Sequence, residues 1–102
     1  MKKNIVMSTK YKKDIKAYKH NKVINAELRS VIDLLMHNQT LPKKYKDHDL
    51  HGNYSGCRDC HVKPNVILIY ELHDDYIGLI RFGSHNKLGL TENILLHLKD
   101  NI

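Results

Sequence analysis

Val66-Ile67-Leu68-Ile69-Tyr70-Glu71-Leu72 is the most apolar run in this 102-residue chain, and its reading decides the fold. A strand that is apolar at nearly every position, rather than at every second one, is buried on both faces and belongs in the middle of a sheet. Turn signals bracket it: Lys63-Pro64-Asn65 before and His73-Asp74-Asp75 after. One strand is predicted on each side, over Ser55–Val62 and Tyr76–Phe82. Turns this short join antiparallel neighbours, so the three strands read as a meander.

Further out, Asn38 to Asn53 is polar, contains Pro42, Asp47, Asp49 and Gly52, and reads as a long loop with room for one helical turn. Loops of this length in a small domain usually carry function. Before it, Ile24, Leu28, Val31, Ile32 and Leu35 keep helical period, which predicts a helix over Val23–His37. Another helix is expected after a Ser8 or Thr9 cap, with Tyr11, Ile15 and Tyr18 on one face. Lys12, Lys16 and Lys19 share a different face; a solvated surface is the simpler reading of them, a phosphate-contacting stripe the sharper one. A break of two residues, His20-Asn21, makes these helices an antiparallel hairpin. Asn4–Met7 reads as a first strand. Gly83-Ser84-His85 leaves the sheet, and Thr91 can cap a last helix with Ile94, Leu95, Leu98 and Ile102 on one side. The order β-α-α-β-β-β plus a final helix gives one α+β domain over 1–102, a mostly antiparallel sheet with a helical hairpin packed on it and a helical extension over 91–102.

Composition bounds the partners. Apolar residues make up 41% and charged residues 27%, enough for one core and against wholesale disorder. A net charge of +6 favours an anionic partner such as nucleic acid, an acidic protein or a membrane surface. No apolar run approaches the ~18–20 residues of a membrane span. Met1-Lys2-Lys3 is followed by only Ile5, Val6 and Met7, too short a run for a secretory signal. A cytoplasmic protein with reduced cysteines is expected.

Chemistry-bearing residues concentrate in Asp47 to His61, D-H-D-L-H-G-N-Y-S-G-C-R-D-C-H, and in Arg81-Phe82-Gly83-Ser84-His85. Cys57-Arg58-Asp59-Cys60-His61 has the C-x-x-C-H spacing of haem attachment. No export signal and no well-placed methionine accompany it, so haem is not expected. Zinc is the other metal reading, with His48, His51 or His61 completing a set. A single C-x-x-C on a strand points its cysteines to opposite faces, which disfavours a shared ion. No metal or cofactor is expected. His20, His37, His73 and His97 read as surface residues, and His51 is ambiguous. His48, His61 and His85 lie at segment ends near one sheet edge. With Lys46, Arg58 and Arg81 they form a plausible ribonuclease set. RNA is cut without metal when its own 2′-hydroxyl attacks the adjacent phosphorus. That reaction needs a base, an acid and cations, which imidazoles and Lys or Arg supply near neutral pH.

The ordered motifs Leu41-Pro-x-x-Tyr45-Lys-Asp-His48-x-Leu50-x-Gly52, Gly56-x-Arg58-Asp59-x-His61-Val62-x-Pro64, Leu68-Ile69-Tyr70 and Arg81-x-Gly83-Ser84-His85-x-x-Leu88 resemble the YafQ branch of the RelE-type toxins. The resemblance spans about half of the chain. It implies a ribosome-dependent endoribonuclease that cuts mRNA, an mRNA interferase of a type II toxin–antitoxin system that needs no cofactor. It implies a cognate antitoxin as partner, operator DNA contacted only through that antitoxin, and no membrane. His48, His61 and His85 match the family's catalytic histidines, with His48 and His85 as the acid–base pair in unassigned order. Arg81 matches a phosphate-facing arginine; Lys46 and Arg58 are further substrate-binding candidates. Asn65 stands where the family has an Asp, unable to act as a base but able to bond a nucleotide. Gly89 stands where the family has a Phe, removing a stacking contact. These two departures define the alternative: a catalytically weak or inactive relative that binds antitoxin and RNA.

Overall fold

The computed structural model describes residues 2–90. Five strands, β1 (Asn4–Met7), β2 (His48–Asp49), β3 (Arg58–Lys63), β4 (Val66–Leu72) and β5 (Tyr76–Gly83), form one sheet in the order β1-β5-β4-β3-β2. The run Val66–Leu72 is central, as its composition predicts. Ile67 and Ile69 enter one face and Leu68 and Tyr70 the other, all four no more than 1% exposed. β1 lies parallel to β5; the other pairs are antiparallel.

Helices α1 (Thr9–Lys16) and α2 (Lys22–Met36) cover one face of the sheet. Ser8 caps α1 by accepting from the Tyr11 amide at 2.9 Å, and Asn21 caps α2 by accepting from the Ile24 amide at 3.0 Å. Tyr11, Leu28, Val31 and Leu35 pack with Leu68, Tyr70, Ile77, Leu79 and Phe82 in the main core. Each large apolar side chain so buried stabilises the fold by roughly 1.5–3 kcal/mol. Tyr18 closes the hairpin end edge-on to Phe82, centroids 5.0 Å apart. A second, smaller core of Leu50, Ile67, Ile69, Leu88 and Leu90 lies on the other face.

β1 reaches only as far along β5 as Leu79. Beyond it, side chains from α1 and its cap satisfy the β5 backbone. The Ser8 hydroxyl donates to the Ile80 carbonyl at 2.6 Å, and Asp14 accepts from the Phe82 amide at 3.0 Å.

Several local expectations change. The break between the helices is Ala17–Asn21 rather than two residues. The strand expected from Ser55 begins at Arg58, because Gly52–Tyr54 makes a 3₁₀ turn and Gly56, at φ +92°, turns the chain again. His48–Asp49, assigned to loop from sequence, is an edge strand too short to display alternation. Ser84 caps a short helix, α3 (His85–Leu88), by accepting from the Lys87 amide at 3.2 Å. Gly89 ends α3 at φ +71°, a conformation that a bulky side chain disfavours. The helix expected over Thr91–Ile102 and His97 lie outside the described residues.

Candidate active site

Strand alternation and register assemble the three histidines. On β3, Cys60 and Val62 point into the main core, so Asp59 and His61 take the opposite face. His48 on β2 is the register partner of Asp59. His61 pairs with Ile67, and Ile67 with Gly83, so the chain leaving β5 at Gly83 carries His85 over His61. The His48 and His61 ring centroids are 6.5 Å apart, and those of His61 and His85 5.1 Å apart in an edge contact.

Each ring has its own neighbours. His48 Nδ1 lies 2.7 Å from the Lys46 carbonyl and 3.2 Å from Asp59 Oδ1. The Lys46 carbonyl belongs to a residue with left-handed backbone, φ 49°, which costs a non-glycine residue roughly 1–2 kcal/mol. Asp59 is 3% exposed. Burial pushes its carboxyl well up from the ordinary carboxylate range, and the charge of His48 pulls the other way. His85 Nδ1 lies 3.2 Å from Asn65 Oδ1. His61 is held below the ordinary histidine range, first by burial and then by the charges of His85, Lys46 and His48; a hydrogen bond to the Pro64 backbone opposes this.

A groove of about 320 Å³ opens beside His61, lined by Glu27, Lys44, Tyr45, Lys46, Val62, Lys63 and Pro64. Lys44 is paired with Glu27 at 3.2 Å, and the Tyr45 hydroxyl also donates to Glu27. Lys46 and Lys63 add positive charge to its wall.

The arginines separate. Arg81 is the register partner of Ile69, itself paired with Asp59, so it sits in the same row as Asp59 with β4 between them. Its Nε and Nη2 donate to Asp14 at 2.7 and 3.2 Å, and its Nη1 reaches the Tyr54 hydroxyl at 3.5 Å. Arg58 is not brought to the histidines. It pairs with Tyr70 on the helix-covered face, where Asp47 holds it at 2.9 and 3.3 Å and Asp49 at 2.5 Å. The Tyr70 hydroxyl donates to the same Asp47. Asn65 meets His85 and so joins the site, while Lys46 joins through its carbonyl and its charge.

Asp59 and Asp14 were not singled out from sequence. Asp59 had a signal, since two residues before His61 on a strand means the same face. Asp14 had none, because its partner Arg81 is 67 residues away. Cys60 is buried in the main core and Cys57 packs on the second, so the two thiols lie on opposite sides of the sheet. Among the described residues no group of three or more His, Cys, Asp or Glu side chains is placed to hold a metal ion. His20 and His37 are exposed, and His73 stacks on Tyr76 at 4.2 Å, away from the site.

Sheet order and helical pair agree with the fold that the resemblance to the RelE-type toxins implies. The chain belongs to the YafQ family, described as bacterial toxins of type II toxin–antitoxin systems, whose profile matches residues 3–90. It is similar to the mRNA interferase toxin YafQ of Escherichia coli strain K12, 43% identical over 88 residues that span 84% of this chain and 95% of that one. In the crystal structure of the E. coli DinJ–YafQ toxin–antitoxin complex, the matching chain is 38% identical with a TM-score of 0.76, over 86% of this chain and 98% of that one. A metal-bound toxin from Helicobacter pylori matches at 37% identity and a TM-score of 0.76, over 86% of this chain and 99% of that one.

Proposed function

We propose that this chain is an mRNA interferase: a metal-independent endoribonuclease that cuts mRNA on the ribosome and is restrained by a cognate antitoxin. The observation that carries the reading is the line of three imidazoles, His48, His61 and His85, in ring contact beside a lysine-walled groove. A base takes the proton of the 2′-hydroxyl, O2′ bonds to the adjacent phosphorus, and the 5′ oxygen leaves with a proton from an acid. The products are a 2′,3′-cyclic phosphate and a 5′-hydroxyl. Each proton transfer by a positioned imidazole contributes roughly 10²–10⁴ in rate, so the chemistry needs no cofactor. Lys46 and Lys63 draw the backbone into the groove, and Arg81, its guanidinium oriented by Asp14, is the further cation for phosphate.

The DinJ–YafQ complex of the E. coli relative supports an antitoxin partner here. Operator DNA, in this reading, is contacted only through that antitoxin. No helix among the described residues is long and apolar enough to cross a membrane, in keeping with a place of action in the cytoplasm. The name of the E. coli relative and the assembly of all three histidines weigh against the inactive-module alternative.

Induced expression of this chain alone should arrest growth, and His85→Ala should relieve the arrest. Primer extension on cellular mRNA should show new 5′ ends within minutes, and cleavage of programmed ribosomes should survive chelation of free transition metals. Unimpeded growth and intact mRNA at high expression would sink the reading.

A further inference from the structure

A second cluster of positive charge stands where β1 leaves the edge of β5 open and α1 covers it. Arg81 of β5 and Lys87 of α3 both come to the buried carboxylate of Asp14. Oδ2 accepts from Arg81 Nε at 2.7 Å and from the Phe82 amide at 3.0 Å. Oδ1 accepts from Arg81 Nη2 at 3.2 Å, and Lys87 Nζ stands 4.0 Å from it, beyond hydrogen-bond reach. One carboxylate between two cations leaves a positive charge uncompensated. Arg81, 17% exposed, is committed to Asp14, whereas Lys87 is 49% exposed, so the uncompensated charge faces solvent at Lys87. The stem of Lys87 is seated: a Cβ added at Gly83 would meet Lys87 Cδ at 3.5 Å, so its methylenes lie along the glycine. Gly83 shares a row with Ile67 and His61, and His85, two residues before Lys87, covers the His61 end of that row. The histidines thus stand over β2 and β3, Lys87 and Arg81 stand over β5, and α3 spans between them.

We propose that Lys87, with Arg81 beside it, forms a phosphate subsite of its own, which holds the RNA linkage next to the one cut at the histidines. The subsite rests on the ribonuclease reading above and adds to it a substrate contact on the β5 side of α3. An RNA strand carries a negative charge at every linkage, so a strand laid across α3 with one phosphate at the histidines brings a neighbouring phosphate to the pair. Lys87 Nζ donates to an oxygen of that phosphate, and the two cations are then balanced by one carboxylate and one phosphate. Asp14 is a positioning residue: it fixes the Arg81 guanidinium and brings the two positive charges together. Lys87 touches the substrate away from the reacting atoms. Its contact is equally strong before and during cleavage, so it acts on KM more than on kcat.

The test gives the whole chain three mRNAs on programmed ribosomes. One is natural, one carries an uncharged methylphosphonate at the linkage just 5′ of the cleaved one, and one carries it just 3′. Lys87→Met should raise KM on the natural mRNA by about tenfold, with a smaller change in kcat, and Lys87→Arg should restore it. At one of the two flanking linkages, the methylphosphonate should raise the wild-type KM by about tenfold and that of Lys87→Met no further. Losses that arise from the ribosome's own hold on the mRNA fall on both proteins alike, so the difference between them reads Lys87. Equal losses for both proteins at both linkages, or Lys87→Met indistinguishable from wild type on natural mRNA, overturn the subsite and leave Lys87 a solvated lysine. Wild-type protein that leaves the natural mRNA intact overturns the ribonuclease reading and the subsite with it.

Discussion

Replacing Asp14 by Ala should cost this fold more than any other single change on the surface of α1. The carboxylate is 4% exposed and accepts from Arg81 Nε at 2.7 Å, Arg81 Nη2 at 3.2 Å and the Phe82 amide at 3.0 Å. Burial pushes its carboxyl up, but the hydrogen bonds from Arg81 and Phe82 and the charges of Arg81 and Lys87 outweigh this and hold it below the usual range. Asp14→Ala strands a mostly buried guanidinium and an amide at the open end of β5. Breaking such a pair from one side costs about 3–5 kcal/mol, against a total of about 5–15 kcal/mol for a domain. At ~3 kcal/mol the Tm of a domain near this size falls by roughly 12–24 °C. Urea titration followed by circular dichroism, in a His85→Ala background to permit expression, measures the loss. Asp14→Ala combined with Arg81→Leu should cost about 2 kcal/mol less than the sum of the single changes. The contribution of Asp14 is complete above the unfolded carboxylate pKa of about 3.9 and is lost as pH falls through the lower folded value, so the variant and parent curves converge in acid. A loss below about 1 kcal/mol, the range of exposed pairs, would refute the reasoning.

Lys46→Gly should stabilise the fold slightly, by about 1 kcal/mol, because φ 49° suits glycine. It should also weaken RNA binding and reduce the salt slope of that binding by about 0.7; urea midpoints and binding titrations over a salt series measure both. Arg58→Gln should lower stability by about 1–2 kcal/mol and leave cleavage per folded molecule unchanged, since Asp47 and Asp49 occupy its guanidinium on the helix-covered face; unfolding curves beside cleavage rates decide this. His61, titrating below its ordinary value, contributes stability that is complete above about pH 6.5 and is lost as pH falls through its lowered folded pKa. Asp59, raised by burial, acts in the opposite sense, so the stability difference between wild type and His61→Asn across roughly pH 5–7 isolates the histidine.

The fold's organising elements are local facts, and the sequence by itself determined them. Ile67–Tyr70 must be central because neither face of it can meet water, and the helical periods of Ile24–Leu35 and Tyr11–Tyr18 must face a core. The three histidines were legible because each adjoins a turn or strand end within a motif resembling a known family. What surrounds each histidine was decided by tertiary structure. A carboxylate raises or lowers no neighbour until the chain brings it within a few ångströms, and the pairs His48–Asp59, His85–Asn65 and Arg81–Asp14 join residues 11, 20 and 67 positions apart. Arg58 shows the converse: its type suited phosphate, but strand alternation placed it one residue from Asp59 and thus on the other face, against Asp47. Periodicity is written residue by residue along the chain. Electrostatic pairing depends on distance in space, which only the folded sheet sets.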